Sequence, residues 1–273
     1  MRVLVVGQGP VARVLATSLA EEHPAGLVVR ARTTDSRVIE TRRRRTVDLV
    51  TPGERPSGWD VVISTASPAS PGVAELLAGA TVVTAVTQVP SEVELLRELA
   101  GDRPWGLVVP GFFAGGADPT WFWPRARFTI AGPATDLLRP LFARRQPTAP
   151  LAAPLVSAAT TMPVVAGLHA VGFDLAAARR SARQLAAAAT QARTAVAAGY
   201  DVPRPRPVSA PAVRAALTML PRLAPFDVPQ YLRDHFGGHG PQTVRMLRDW
   251  VDLGRRHGRP TSALEELLER VPA

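Results

Sequence analysis

A glycine-containing turn lies within the first twelve residues of this chain, between an apolar segment and an amphipathic one. The apolar segment Arg2–Val6 is typical of a buried parallel strand, and Val11–Glu21 carries apolar residues at helical spacing. The turn between them fits the pattern G-x-G-x-x-G/A with the residues Gly7-Gln8-Gly9-Pro10-Val11-Ala12. In this pattern the first glycine permits the tight turn, the second lets backbone N–H groups approach a diphosphate, and the last small residue keeps the helix close to the sheet. The sequence therefore predicts a dinucleotide-binding turn, with a tight turn that holds no ligand as the alternative.

Strand and helix patterns alternate from this turn to about Pro150. Further strands are predicted at Leu27–Arg32, Thr46–Val50, Asp60–Thr65, Thr81–Val86 and Leu107–Val109, with an edge strand at Arg127–Ala131. Helices are predicted at Gly72–Ala78, Ser91–Ala100 and Pro133–Arg144, and the arginine run Arg42–Arg45 is expected to be a solvated turn. This alternation predicts a Rossmann-type, doubly wound α/β sheet in residues 1–150.

Residues 151–273 show helical patterns only, and we predict an all-helical substrate domain. The predicted helices are Leu155–Val171, Leu175–Ala198, Ala212–Leu220, Pro229–Phe236, Gln242–His257 and Thr261–Arg270. The segment Asp201–Pro211 contains four prolines and is expected to be an extended surface connection.

The end of the second predicted strand indicates which dinucleotide binds. An acidic residue there usually holds the ribose 2′-hydroxyl of NAD, but the segment reads Val28-Val29-Arg30-Ala31-Arg32-Thr33-Thr34. Guanidinium groups bind phosphate by paired donors and keep their charge. We therefore predict NADP(H) as the cofactor, with Arg30, Arg32 and Thr33 at the 2′-phosphate. The alternative is that one of the two arginines is a solvated surface residue.

Two missing residue types exclude several chemistries. All 32 residues counted as Lys or Arg are arginine, and there is no cysteine, so Schiff-base lysines, thiol nucleophiles and Cys-ligated metals are excluded. No metallohydrolase or serine-hydrolase motif occurs, and we predict that no metal is bound.

Charge and hydropathy bound the partners and the location. The net charge is +9, but aromatic residues do not interleave with the basic ones, so we expect no nucleic-acid partner. No cationic leader precedes the first strand, and the uncharged stretch Thr148–Phe173 is interrupted by three prolines. We therefore expect a cytoplasmic protein that has no membrane segment and acts on a small-molecule substrate.

The N-terminal glycine turn followed by a helical half resembles the ketopantoate reductase (2-dehydropantoate 2-reductase) family over nearly the whole chain. The block from Pro229 to Leu247 and the turn Gly254–Thr261 are similar to that family's last two helices. The resemblance implies a helical half like the C-terminal domain of 6-phosphogluconate dehydrogenase, and hydride transfer from NADPH to an α-keto acid. Because related reductases often pair through this half, a homodimer is also implied as an option.

The sequence departs from this family at the positions that would contact the substrate. The family's catalytic lysine falls near Pro154, and its accompanying asparagines fall near Ala158 and Met162. Three other polar positions of the family correspond to glutamines, namely Gln88 after a strand of the sheet and, in the substrate site, Gln230 and Gln242. The resemblance thus implies a retained cofactor turn and replaced substrate contacts, so we expect a substrate other than ketopantoate.

Without lysine, another residue must supply the proton. Tyr231 and His235 lie four residues apart on one predicted helix and share a face. His239 lies among glycines, in a loop that could reach over a ligand. We predict Tyr231, His235 and His239 as catalytic candidates, with simple packing as the alternative. A buried Gln242 would orient a neutral ligand by hydrogen bonds.

The function predicted from these features is NADPH-dependent reduction of a small carbonyl or imine compound, in specialised metabolism. The alternative is a non-redox or nucleotide-binding protein that keeps the fold without hydride transfer. For the aromatic segments Val109–Gly116 and Trp121–Trp123, both a pocket lid and a packed core remain open.

Overall fold

A computed structural model describes residues 1–7, 9–20, 25–28, 37–40, 43–46, 58–116 and 120–272. By its internal contacts the chain separates into two compact units, Met1–Pro154 and Leu155–Ala273.

The first unit is built on a seven-stranded sheet, which confirms the predicted doubly wound α/β fold. The strands of the first unit are β1 (Val3–Val6), β2 (Ala25–Val28), β3 (Arg37–Glu40), β4 (Arg43–Thr46), β5 (Val61–Ser64), β6 (Val82–Ala85), β7 (Trp105–Pro110), β8 (Phe113–Gly115), β9 (Thr120–Trp123), β10 (Phe128–Ala131) and β11 (Thr148–Ala149). Its helices are α1 (Pro10–Ala20), α2 (Val73–Ala78), α3 (Pro90–Ala100) and α4 (Thr135–Leu138).

The main sheet has the order β2–β1–β5–β6–β7–β10–β11. Neighbouring strands from β2 to β7 are parallel, whereas β10 runs antiparallel to β7. Every residue of β1, β5 and β6 is buried, as expected for central strands covered on both faces. The predicted edge strand at Arg127–Ala131 exists as β10, but it is not at the edge, because β11 pairs with it on its outer side.

The first unit also contains a second, four-stranded sheet, which the sequence patterns do not predict. Its order is β4–β3–β9–β8. The expectation of a turn at Arg42–Arg45 is wrong, because Arg43–Thr46 pairs antiparallel with β3. As an edge strand, β4 tolerates a run of charged residues. Of the predicted strand Thr46–Val50, only Thr46 is a described residue, and the end of the predicted strand Leu27–Arg32 also lies outside the described residues.

Helix α1 is anchored against both sheets. It contacts β1 and β2 of the main sheet and β3, β8 and β9 of the second sheet. Its side chains Leu15 and Leu19 are fully buried in a core that also contains Phe122 and Phe128. At about 2 kcal/mol for each buried leucine, this packing fixes the helix that follows the glycine turn.

The aromatic segments after β7 form a hairpin rather than a free loop. Strands β8 and β9 pair antiparallel with Phe113 opposite Trp123. The rings of Phe112 and Phe128 pack edge to face at 5.2 Å. Phe122 belongs to this core, and Phe112 packs against it. The other three aromatic residues of the two segments, Phe113, Trp121 and Trp123, are half-buried, so a pocket lid stays a prediction for them.

Arg103 joins the ends of two helices of the first unit. Its Nη1 donates to the carbonyls of Leu77, Ala78 and Ala80 at 2.8–2.9 Å. Its Nε donates to the carbonyl of Ala100 at 3.0 Å, and Nη2 donates to the carbonyl of Leu99. The last carbonyls of a helix have no partner within the helix, so one guanidinium satisfies groups at the ends of both α2 and α3.

Substitution Arg103→Ala is expected to lower the free energy of unfolding by about 2–3 kcal/mol, because several carbonyls lose a charged donor at once. The control Arg97→Ala removes an exposed arginine from α3 and is expected to change it by less than about 0.5 kcal/mol. Urea denaturation followed by circular dichroism measures both. Equal effects of the two substitutions would contradict this role of Arg103.

The second unit is helical, as predicted. Its helices are α5 (Ala152–Ala170), which begins in the first unit, α6 (Leu175–Arg180), α7 (Ala182–Gly199), α8 (Ala210–Leu223), α9 (Val228–Phe236), α10 (Gly240–Arg256) and α11 (Ser262–Arg270). Two predicted boundaries are wrong. The predicted helix Leu175–Ala198 is divided at Ser181, whose ψ of 9° lies outside helical geometry. The predicted helix Pro133–Arg144 ends in the 3₁₀ turn Arg139–Leu141, after which the backbone of Phe142 is extended.

Helix α7 is the centre of this unit and contacts α6, α8, α10 and α11. Small side chains allow this close packing: most of its buried residues are alanines. Gly167 of α5 lies so close to Leu185 that a Cβ there would approach the Leu185 Cδ2 to 2.2 Å. The largest fully buried side chain of the unit is Trp250 on α10.

Candidate functional site

Gly7 follows β1 directly and has a backbone conformation that only glycine adopts easily. Its φ is +148°, and a Cβ at this position would lie 1.9 Å from the Thr65 Oγ1 and 3.3 Å from the Ala12 Cβ. Thr65 is held in place because both its backbone N–H and its hydroxyl donate to the Val6 carbonyl, at 2.7 and 3.1 Å. The turn is therefore closed on this side, as the predicted role of the first glycine requires.

Gly9 presents the opposite situation. Apart from its chain neighbours, no described residue has an atom within 4 Å of a Cβ added to Gly9, so its backbone faces open space in the described part of the chain. This space is the cradle that the second glycine of the motif is expected to leave for a diphosphate.

The N-terminus of α1 adjoins this space. Its first intrahelical bond runs from the Arg13 N–H to the Gly9 carbonyl at 3.3 Å, and Pro10 occupies the first helical position. The N–H groups of Val11 and Ala12 have no acceptor within the helix, and the described residues supply none. The first turn contains no acidic residue. These free amides and the positive end of the helix dipole favour an anion here.

The turn lies at the switch point of the main sheet. β1 lies between β2 and β5. The chain runs from β1 to β2 on one side of β1 and later forms β5 on its other side. In open α/β sheets, ligands bind outside the carboxyl ends of strands at such a point. Thr65 follows β5 directly and thus belongs to this edge, although no sequence motif singles it out.

The first turn of α3 carries a buried carboxylate, Glu92, which no sequence motif singles out. The Thr87 hydroxyl donates to the Glu92 Oε2 at 2.6 Å and accepts from the Val89 N–H at 3.2 Å. Glu92 is only 2% exposed. These bonds hold Thr87 and Val89 in place on either side of Gln88.

The half-buried Gln88 follows the carboxyl end of β6. Its Nε2 donates to the Pro154 carbonyl at 2.8 Å, which joins this loop to the first turn of α5. Gln88 and Pro154 are two positions at which the family resemblance placed polar groups of the active site, and the structure brings them into contact. Ala158 and Met162 follow on α5, one and two turns beyond Pro154.

Four of the predicted cofactor residues cannot be assigned a position. Gln8, Arg30, Arg32 and Thr33 lie outside the described residues. The preference for NADP(H) over NAD(H) thus stays a prediction from the sequence.

In the second unit, the structure brings Tyr231 and His235 together. Their rings stack at 5.3 Å with an angle of 12°, as their spacing on α9 predicts. Phe226 packs on Tyr231 at 5.2 Å, and Phe236 packs edge-on against His235 at 4.7 Å. Both predicted candidates therefore belong to one aromatic cluster.

The other predicted residues of this unit are more open. Gln230 is exposed, and its amide bonds to Asp234 at 2.7 Å and Arg233 at 3.1 Å. Gln242 is also exposed and lies in the first turn of α10, on its solvent side. The burial that would let it orient a ligand is therefore not present in this structure. His239 ends a 3₁₀ turn, Gly237–His239, between α9 and α10.

Two further expectations can be compared with the structure. Among the described residues, no group of three His, Asp or Glu side chains could hold a metal ion. One helix in this part of the chain, Ala152–Ala170, is long and apolar enough to cross a membrane, and half of its apolar window is buried. This is weak evidence for a membrane span, because buried core helices have the same length and composition.

Comparison with solved structures defines the class of fold. No protein-family model matches the sequence, and no curated protein matches it. Many solved structures match over nearly the full chain, and several are ketopantoate reductases. The chain therefore has the fold of ketopantoate reductases, as the resemblance implied.

Three of the matched structures illustrate this. The 2-dehydropantoate 2-reductase from Geobacter metallireducens matches with a TM-score of 0.75 and 14% identity, over 99% of both chains. The dimeric ketopantoate reductase from Staphylococcus aureus matches with a TM-score of 0.68 and 12% identity, over 98% of this chain and 96% of that one. D-mandelate dehydrogenase, solved with NADH, matches with a TM-score of 0.71 and 11% identity, over 99% and 97%.

Proposed function

We propose that this protein is an NADP(H)-dependent reductase of a small carbonyl or imine compound. The observation that carries the proposal is the open space at Gly9, beside the free amides of α1 and at the switch point of the sheet. The matched structures with this fold include two kinds of oxidoreductase, and one of them was solved with NADH.

The residues of the turn fit a dinucleotide. Its diphosphate would accept hydrogen bonds from the N–H groups of Gly9, Val11 and Ala12, where the helix dipole also favours negative charge. Arg30 and Arg32, with Thr33, would hold the 2′-phosphate of the adenosine ribose. The reduced nicotinamide supplies the hydride when it is bound.

The chain must then orient the substrate and deliver a proton without lysine. Gln88 uses one N–H of its side-chain amide on the Pro154 carbonyl. Its second N–H has no acceptor among the described residues and can donate to a substrate carbonyl or imine. Histidine titrates near neutral pH, so His235 or His239 can deliver the proton, and the hydroxyl of Tyr231 is the further candidate. Gln230 and Gln242 would bind a neutral part of the substrate.

Substitution of Arg30 and Arg32 tests the cofactor preference. The double variant Arg30→Gln/Arg32→Gln is expected to raise the Kd for NADPH by about 100-fold, since two charge-assisted contacts to phosphate are lost. The Kd for NADH should change by less than about threefold, because NADH has no phosphate at this position. Titration followed by nicotinamide fluorescence measures both constants. Tighter binding of NADH than of NADPH by the unmodified protein would contradict the proposed preference.

A second candidate function is nucleotide binding without redox chemistry. It is favoured by the lack of lysine and by the exposure of Gln230 and Gln242, two of the predicted substrate contacts. Single-turnover oxidation of bound NADPH by a panel of keto acids, aldehydes and cyclic imines separates the two functions. Oxidation by any member supports the reductase; bound NADPH that stays reduced with the whole panel supports the second function.

A homodimer is part of the proposal, because one matched ketopantoate reductase is dimeric. Size-exclusion chromatography with light scattering should give about twice the chain mass of 29.1 kDa. A mass equal to that of one chain across the working concentrations would exclude it.

A further inference from the structure

The second unit contains a groove that the proposed reaction does not use. Its volume is about 440 Å³, and all of its lining residues belong to Leu155–Ala273. One stripe of α7 forms one side, and the extended segment between α7 and α8 forms the other. Ala186, Ala187 and Ala210 give the groove a small-residue, apolar surface.

Side chains of α7 form hydrogen bonds to the segments that make the walls of this groove. They join the Val208 N–H to the Thr190 Oγ1 at 2.9 Å, the Arg193 Nη1 to the Arg206 carbonyl at 3.0 Å, and the Leu264 N–H to the Gln191 Oε1 at 3.1 Å. These bonds attach both the extended segment and the start of α11 to the same helix. The walls of the groove are therefore formed by backbone that these hydrogen bonds hold in place, and not only by exposed side chains.

Two arginines line the groove toward its two ends. Arg183 is in the first turn of α7. Arg204 is near the other end of α7, because the nearby Val202 N–H bonds to the Ala197 carbonyl at 2.9 Å. Arg183 and Thr194 are eleven positions apart, so the stripe extends about 16 Å along the helix axis.

The charges in the groove are unbalanced. Among the described residues, neither guanidinium has a hydrogen-bond or ion-pair partner, and no Asp or Glu lines the groove. Guanidinium groups bind carboxylates and phosphates with paired donors. A ligand with one acidic group would meet only one of these two arginines.

We propose that this groove binds an elongated small organic dianion, with an acidic group at each end and an apolar chain between them. The acidic groups meet Arg183 and Arg204, and the chain lies along the alanines, Val208 and Pro260. All residues of this groove belong to Leu155–Ala273, whereas the dinucleotide turn belongs to Met1–Pro154.

Isothermal titration calorimetry on the full chain tests this proposal. The probes are linear α,ω-dicarboxylates of four to twelve carbons, the monocarboxylates of equal length, and α,ω-bisphosphates. The best dicarboxylate is expected to bind about fivefold more tightly than its monocarboxylate, which corresponds to one additional exposed ion pair. Tighter binding of a bisphosphate would support the same site and identify phosphate as the preferred acidic group.

Variants decide whether the two arginines are responsible. Arg183→Gln and Arg204→Gln should each abolish the advantage of the dicarboxylate, whereas Arg222→Gln, which removes an exposed arginine of α8 outside the groove, should preserve it. Thermal melts show that each variant is folded. The proposal is overturned if no dianion binds at millimolar concentration, if both ligand types bind equally, or if the first two variants behave like Arg222→Gln.

Discussion

Substitution Gly9→Asp is expected to weaken NADPH binding by about 100-fold and to leave the fold intact. An aspartate at this position is an N-cap, whose carboxylate accepts hydrogen bonds from the N–H groups of the second and third helical residues. These are Val11 and Ala12, the same amides that the proposal assigns to the diphosphate. The carboxylate also repels the diphosphate, and the two effects together amount to about 2.7 kcal/mol of lost binding free energy.

The same substitution is expected to stabilise the free protein. Apart from the chain neighbours of Gly9, no described residue has an atom within 4 Å of an added Cβ, and an acidic N-cap gains about 0.5 kcal/mol from the helix dipole. Gly9→Asn is the matched control, since it has the same size without the charge, and its loss of affinity should be about tenfold. Fluorescence titration and urea denaturation measure both variants. NADPH affinity that is unchanged in Gly9→Asp would show that the diphosphate is not bound at this helix terminus.

Substitution Gly7→Ala is expected to lower the free energy of unfolding by about 3 kcal/mol. The new methyl group would lie 1.9 Å from the Thr65 Oγ1, and the φ of +148° is strained for any residue with a side chain. Thr65 cannot simply rotate away, because its hydroxyl donates to the Val6 carbonyl and its Cβ would lie 3.2 Å from the new group. Urea denaturation measures the change.

A double-mutant cycle with Thr65→Ala shows whether this contact is the cause. Thr65→Ala alone should cost about 1 kcal/mol, since it removes a hydrogen bond. Gly7→Ala in the Thr65→Ala background should cost at least about 1 kcal/mol less than in the unmodified protein, because the closest atom is gone. Additive effects would mean that the backbone conformation of Gly7, and not Thr65, is responsible for the requirement.

The sequence predicted the glycine turn well because its rules are local. The spacing of Gly7, Gly9 and Ala12 depends on one strand, one turn and one helix, and the structure shows a closed side at Gly7 and an open side at Gly9. The pairing of Tyr231 with His235 was likewise predictable, because residues four apart on a helix always share a face.

Features that depend on distant residues could not be predicted in this way. Arg43–Thr46 forms a strand only because β3 lies beside it. Thr65 reaches the site because β5 pairs with β1. The place of Gln242 on the solvent side of α10 depends on how that helix packs, which its local sequence does not show.

The most direct test of the account is the crystal structure of this protein soaked with NADPH. The account predicts that the diphosphate contacts the backbone N–H groups of Gly9, Val11 and Ala12, with the ribose 2′-phosphate beside Arg30 and Arg32. A nucleotide bound elsewhere, or a turn that stays empty at saturating NADPH, would contradict it.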